Sequence, residues 1–480
     1  MSLFVKYLKY IFLFLFFSNL IVAQTGGVLS YPDARTVAIG SQAAVTSTGV
    51  YSILANPANL TMQGTKFEIS TVLPLPSINA ASGNDFMTFS DIDYYFGGVK
   101  DKNGNIAGRF LNPSEKEVLL SKFNDGNRVQ TSAAINLFSI SLSAGKKIGS
   151  FGFSINDIIG QRTGLPKDLI DLFLNGNRIG RTYYLNDLVL STSYLREYNL
   201  SYARDFSFLL DNIFDSFSAG ITIKMIHGYA YSEIETIGTT ITTLDNHSIL
   251  IENDLSANIA VSQDFGIEWD FDDVKKVQNI SPFLNPAGVG FGINIGFAAQ
   301  LDSIWTFGLS VTDIGSVNWN NNPVSYKSNG SFLISDVTDS TLTDSLQAAL
   351  EPIGSYSDGF TSSLPTVLRL GASFRLDRLL KGNFPGKMLL VIGYNQGFNN
   401  SLNNTTSPLF SLGFEWKPID LFPIRSGFTF GGFTGFAWSL GLGIDADIVE
   451  FNFASADIIS VFKGNDSKVV QFTIGSRWKF

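Results

Sequence analysis

The chain has 480 residues and a formal net charge of -9, with 45% hydrophobic but only 16% charged residues, where soluble domains carry about a quarter. Acidity without a Lys/Arg block excludes a nucleic-acid surface. The lack of cysteine excludes disulfides, thiolate nucleophiles and zinc–cysteine sites, and two histidines leave little for His-based metal or catalytic chemistry.

The N-terminus opens with Lys6 and Lys9, then an apolar run from Tyr10 to Val22, then Ala23. This reads as a signal peptide over 1–23, cleaved after Ala23, with Ile21 departing from the small residue preferred before the cut. Export follows through the Sec pathway. No later apolar run approaches the roughly 20 residues of a membrane helix. Residues 24–65 are rich in small side chains and end Ala55-Asn56-Pro57-Ala58-Asn59-Leu60. Such a segment is poorly charged for a flexible tail and is expected to plug a lumen.

From residue 66 onward the dominant signal is alternation. Val470, Phe472, Ile474, Trp478 and Phe480 share one face; Gln471, Thr473, Gly475, Arg477 and Lys479 share the other. Phe436, Trp438, Leu440, Leu442 and Ile444 oppose Ala437, Ser439, Gly441, Gly443 and Asp445, and Val289 to Ala298 repeats the pattern. Large apolar residues facing lipid and small or polar ones facing a lumen define a transmembrane barrel strand. The fold class is therefore all-β: an antiparallel transmembrane barrel over 66–480 with about fourteen strands, twelve to sixteen being the range. The strands are expected at 66–75, 128–144, 150–157, 188–206, 216–231, 287–300, 304–318, 365–376, 387–398, 407–417, 423–432, 436–446, 449–457 and 467–480. Short connections fall on the periplasmic side. Long extracellular loops fall at 76–127, 158–187, 232–286 and 319–364, with a hairpin at 249–262 projecting outside the membrane.

Within the loops, Thr163 is placed to cap a helix whose stripe is Leu165, Leu169, Leu172 and Phe173, stopped by Gly176. The stripe packs as a lid or walls an apolar groove. Ser340 to Leu350 has the same character. His227 falls on the lipid side beside Tyr229, and His247 falls in a loop. Neither has a nameable partner, so no catalytic residue is assigned. The acidic cluster Glu268, Asp270, Asp272 and Asp273 lacks calcium-loop spacing, and Asn395 to Asn404 reads as a hairpin tip. No metal site and no cofactor are expected.

Ala34 to Gly40, Ala43-Ala44-Val45 and Asn56-Pro57-Ala58 together resemble the plug of long-chain fatty-acid outer-membrane transporters. They resemble equally the shuttle barrel of the Bacteroidota type IX secretion system. Leu165-Pro166, Asn175-Gly176-Asn177, Asp313-Ile314-Gly315, Trp319-Asn320, Leu364-Pro365 and the glycine-rich stretch Phe410 to Asp445 are similar to a Bacteroidota outer-membrane branch of unknown function. The resemblance implies that Asn56, Pro57 and Ala58 sit near a lateral gate. Separately, Phe472, Trp478 and Phe480 look like the terminal signal read by the barrel-assembly machinery, and they also close the aromatic face of the last strand. The function expected is passive transport of a small hydrophobic solute through a plugged barrel in the Gram-negative outer membrane, with lateral release into the bilayer and an apolar pocket beside Asn56–Ala58. The alternative is a non-catalytic subunit or shuttle of a secretion or barrel-assembly complex.

Overall fold

Side chains that take turns facing lipid and lumen fix both the strands and their register, because a slip of one residue would turn the apolar face inward. The computed structural model describes residues 33–100, 102, 104–124, 126–210, 213–236, 238–267, 284–335, 353–380, 384–401, 404–433, 435–462 and 467–480. Among these, fourteen strands form a barrel. β1 is built in two pieces, Phe67–Thr71 and Ser77–Asn84. Then follow β2 (Asn127–Ser143), β3 (Ser150–Leu165), β4 (Val189–Asp205), β5 (Ser216–Thr236), β6 (Gly288–Leu301) and β7 (Trp305–Trp319). The second half is β8 (Val367–Arg375), β9 (Lys387–Gly397), β10 (Leu409–Lys417), β11 (Ile424–Gly431), β12 (Gly435–Ala446), β13 (Val449–Ser455) and β14 (Val469–Lys479). Each pairs antiparallel with the next. β14 pairs back onto β1, with Trp478 opposite Ile69 and Ile474 opposite Ile78, so the sheet closes without an edge.

The alternation holds in three dimensions. On β12, Phe436, Trp438, Leu442 and Ile444 are exposed, while Ala437, Ser439, Gly441 and Gly443 are buried. The outward side chains are those a bilayer would cover.

Several boundaries differ from the sequence expectation. Ser77–Asn84 belongs to the barrel wall rather than to a loop over 76–127. β3 continues through Leu165, so Thr163 is a strand residue facing Leu190 and the helix starts only at Lys167, with Pro166 before it. β5 has 21 residues, about twice the 9–11 that span a bilayer. It pairs β6 as far as Gly228, and from Ala230 it pairs Ile249–Val261 instead. That last strand also pairs Val324–Ile334, making a β wing outside the barrel's own ring. The outer helices Pro113–Ser121 and Lys167–Asn175 meet over Met87, Leu119 and Phe123. The signal-peptide segment 1–23, the acidic cluster Glu268 to Asp273 and the stretch Ser340 to Leu350 lie outside the described residues.

Candidate functional site

Residues 33–62 form a run of one-turn helices. Asp33 starts the first by accepting hydrogen bonds from the Arg35 and Thr36 amides at 3.0 and 3.3 Å. Asn56 caps the last, accepting from the Ala58 amide at 3.2 Å, and Pro57 occupies the first helical position, where a missing N–H costs nothing. Apart from Arg35, Thr48, Tyr51, Thr61 and Met62, all of this run is buried, most of it against the inner face of the strands.

The glycines of that inner face are where the segment touches the wall. A Cβ on Gly308 would stand 2.2 Å from the Ala44 carbonyl oxygen, on Gly220 2.5 Å from the Pro57 carbonyl carbon, on Gly413 2.6 Å from the Ile39 oxygen, and on Gly441 2.4 Å from the Ala38 Cβ. These glycines come from β7, β5, β10 and β12. Glycine is required at each because a main chain or Cβ occupies the space. Asn56 adds a direct bond to the wall, its amide donating to the Phe297 carbonyl at 3.1 Å and to the Ala44 carbonyl at 2.9 Å.

A second tie is electrostatic. Arg35 forks onto Glu415 at 2.8 and 2.9 Å. Glu415 also accepts from Arg425 at 2.6 Å. Arg425 faces Glu450 at 3.9 Å, Glu450 accepts from Arg477 at 2.7 Å, and Arg477 reaches Glu68 at 3.1 Å. Three cations and three carboxylates thus alternate along the inner wall from β10 to β1, and all but Arg35 are fully or nearly buried. Balance is what makes such burial tolerable, since an unpaired charge in a low dielectric costs several kcal/mol. The chain also holds the segment's backbone: Arg35 donates to the Thr46 carbonyl, Arg477 donates to the Thr48 carbonyl, and Glu68 accepts from the Val50 amide.

The wall is interrupted in one strand. Between Thr71, opposite Phe138, and Ser77, opposite Asn136, residues 72–76 leave the ladder on both sides. Pro74 and Pro76 have no N–H to give a ladder. Val72 and Leu73 turn outward, 49% and 72% exposed. Behind the gap hydroxyls replace main-chain bonds. The Ser476 carbonyl accepts from Ser70 at 2.8 Å and from the Tyr51 hydroxyl at 3.2 Å, and Tyr51 Oη lies 3.0 Å from Ser77 Oγ. Tyr51 belongs to the N-terminal segment.

The spaces around this core differ in polarity. An apolar hollow of about 610 Å³ lies over Phe297, Phe307, Leu309, Leu370, Ile392 and Phe410. These side chains alternate with Gly308, Gly371 and Gly393, which touch the N-terminal segment. The hollow is therefore on the outer surface, separated from Ala44 and Val45 by the thickness of the glycine wall. The space on the lumen side, about 350 Å³ at the outer mouth, is lined mostly by polar atoms. The apolar hollow is thus on the outside of the barrel and is not the luminal pocket expected beside Asn56–Ala58.

The residues expected from the sequence fall as follows. Asn56, Pro57 and Ala58 are buried against β5 and β6, whose ladder there is continuous from Ser216–Gln300 to Gly228–Gly288. The break in the wall lies elsewhere, in β1. Leu165 ends β3, Phe173 is 75% exposed, and Leu169 and Leu172 are half-buried. The helix packs instead through Ile170 and Leu174, so the four do not come together as one face. Phe472, Trp478 and Phe480 follow one another down the outer side of β14; the Phe480 ring stands 6.1 Å from Phe67. His227 lies edge-on to Tyr198 at 5.1 Å on the outward face, and His247 sits in a turn with φ 70°. The charge chain and Tyr51 escaped sequence reasoning. The inward parity of Glu415, Glu450, Arg425 and Arg477 was a readable signal for the chain; nothing marked Tyr51.

The model of a family described as a family of unknown function, DUF5723, matches residues 57–456. No curated protein matches in sequence. Among solved structures, the chain is similar to the Pseudomonas putida toluene transporter TodX (TM-score 0.45, 10% identity, covering 94% of this chain and 99% of that one). It is also similar to a deletion mutant of the TodX monoaromatic hydrocarbon channel (0.48, 10%, 94% and 99%) and to a Pseudomonas aeruginosa FadL homologue (0.42, 11%, 96% and 99%).

Proposed function

The chain belongs to the DUF5723 family of unknown function, and we propose that it is an outer-membrane barrel that passes small hydrophobic solutes sideways through its wall. In this reading residues 24–65 are the plug, and the exit is the interruption at 72–76 rather than the wall beside Asn56–Ala58. The observation that carries it is the Tyr51 hydroxyl standing in for a missing ladder bond at that gap: a side chain can swing away where a main-chain ladder cannot. Transfer of the solute's chain into the bilayer, about 0.8 kcal/mol per methylene, supplies the driving force. No catalytic role is proposed. Export through residues 1–23, and recognition of Phe472, Trp478 and Phe480 by the barrel-assembly machinery, belong to the same reading.

Cells producing the protein should take up an apolar fluorophore excluded by the lipopolysaccharide leaflet faster than cells without it. Tyr51→Phe, which keeps the ring but removes the hydroxyl that bridges Ser77 and the Ser476 carbonyl, should raise that gain further. Equal uptake with and without the protein would sink the reading.

The close fit of the N-terminal segment to the inner glycines favours a second reading, a permanently filled barrel serving as a non-catalytic subunit of a secretion or assembly complex. A stoichiometric partner retained in mild detergent, together with no uptake, would select it.

A further inference from the structure

On the outer side of the N-terminal segment the lumen is crossed by Lys224, which pairs with Glu197 at 2.9 Å and with Asp313. Beyond this trio lies the polar cavity of about 350 Å³, within the size range of small-molecule sites, roughly 300–1,000 Å³. Two charged side chains line it, Arg162 and Glu233, and they face each other at 3.5 Å. Both are already engaged: Arg162 donates to the Asn400 carbonyl at 2.7 Å, and Glu233 accepts from the Tyr231 hydroxyl at 2.7 Å. The wall carries no net charge, and an ion would find nothing to balance it.

What remains for a ligand is hydroxyl. Ser193 is 1% exposed, and its Oγ has no hydrogen-bond partner among the described residues, a state that is unfavourable unless something fills it. Ser362 accepts from the Trp319 indole at 2.9 Å and keeps its own proton to give. A hydroxyl donates once and accepts twice, so a wall of hydroxyls complements a ligand of hydroxyls. One side of the cavity is the Tyr231 ring, backed by the fully buried Trp319 with ring centroids 5.2 Å apart. Aromatic rings beside hydroxyls suit a molecule with one C–H face and a rim of O–H groups.

We propose that this cavity binds a neutral sugar unit at the outer mouth of the barrel. The site does not depend on conduction: a silent barrel could hold the sugar, and a conducting one could lack it.

The test is calorimetric titration of the full-length protein with methyl glycosides of glucose, galactose, mannose and N-acetylglucosamine. An amine-oxide detergent is used, because a maltoside headgroup would itself compete. At least one glycoside is expected to bind saturably. Ser193→Phe, which fills the cavity, should abolish binding, and Ser193→Ala, which removes the unpartnered hydroxyl, should weaken it about tenfold, with the strand circular-dichroism spectrum kept in both. Should the larger side chain prevent folding, Ser193→Ala decides alone. Failure of all four glycosides to bind, binding unchanged in the variants, or saturable binding of glycine or inorganic phosphate in place of the glycosides would each overturn the proposal.

Discussion

Glu415 accepts from two guanidiniums at once, one on the N-terminal segment and one on the wall. Glu415→Ala would strand both Arg35 and Arg425, and breaking a buried pair from one side costs about 3–5 kcal/mol. The expected outcome is a lowered unfolding temperature and new proteolysis within residues 33–62; an Arg35→Met/Glu415→Met double variant should recover part of the loss. Space acts as sharply as charge. Gly308→Val would drive side-chain carbon into the Ala44 carbonyl, so it should unseat the segment and raise single-channel current. Gly108→Val, at a position where an added Cβ meets nothing within 4 Å, should leave current unchanged. A third case lies outside the membrane-spanning strands. Hydrogen bonds from Arg375 hold the Asp377 carboxyl below its ordinary range, and its carboxylate also accepts from the Met388 amide at 3.0 Å. A depressed carboxyl contributes stability above its unfolded pKa, about 3.9, and loses it as pH falls through the folded value. Protection of the Met388 amide from hydrogen exchange should therefore drop below roughly pH 4 in the native protein, compared at equal pH with Asp377→Asn, where no such step is expected.

The strands were legible because lipid on one side and a packed lumen on the other leave a period-two trace in the side chains themselves. Phe436 to Ile444 carries that trace without a fault. Ser77–Asn84 does not: its outward residues are Ile78, Ala80 and Ser82, only one of them large, so it reads as loop until the pairing to β2 and β14 is seen. The helix Lys167–Asn175 departs from its sequence reading for the opposite reason. Its spacing offers two plausible stripes, and only the partner helix at Leu119 and Phe123 selects Ile170 and Leu174 over Leu169 and Phe173. The fit between glycines and the N-terminal segment joins positions hundreds of residues apart and leaves no local pattern. The bulge in β1 is testable at this scale. Replacing residues 72–76 so that the strand continues should raise thermal stability, by restoring the ladder, while lowering uptake of the apolar fluorophore.

At the scale of the molecule, closure is the property on which the rest depends. An open sheet of these strands would leave a row of main-chain donors and acceptors unpaired in hydrocarbon, each costing several kcal/mol.

The cylinder closes where β1 meets β14, and the same two strands supply Glu68, Arg477 and the Ser476 carbonyl that grip Thr48, Val50 and Tyr51. The seam is stitched from within by residues synthesised before either strand. Closing the seam and seating the leading segment therefore draw on the same contacts, and a chain lacking Val469 to Phe480 should present Thr48 to Tyr51 to protease however much of its wall has formed.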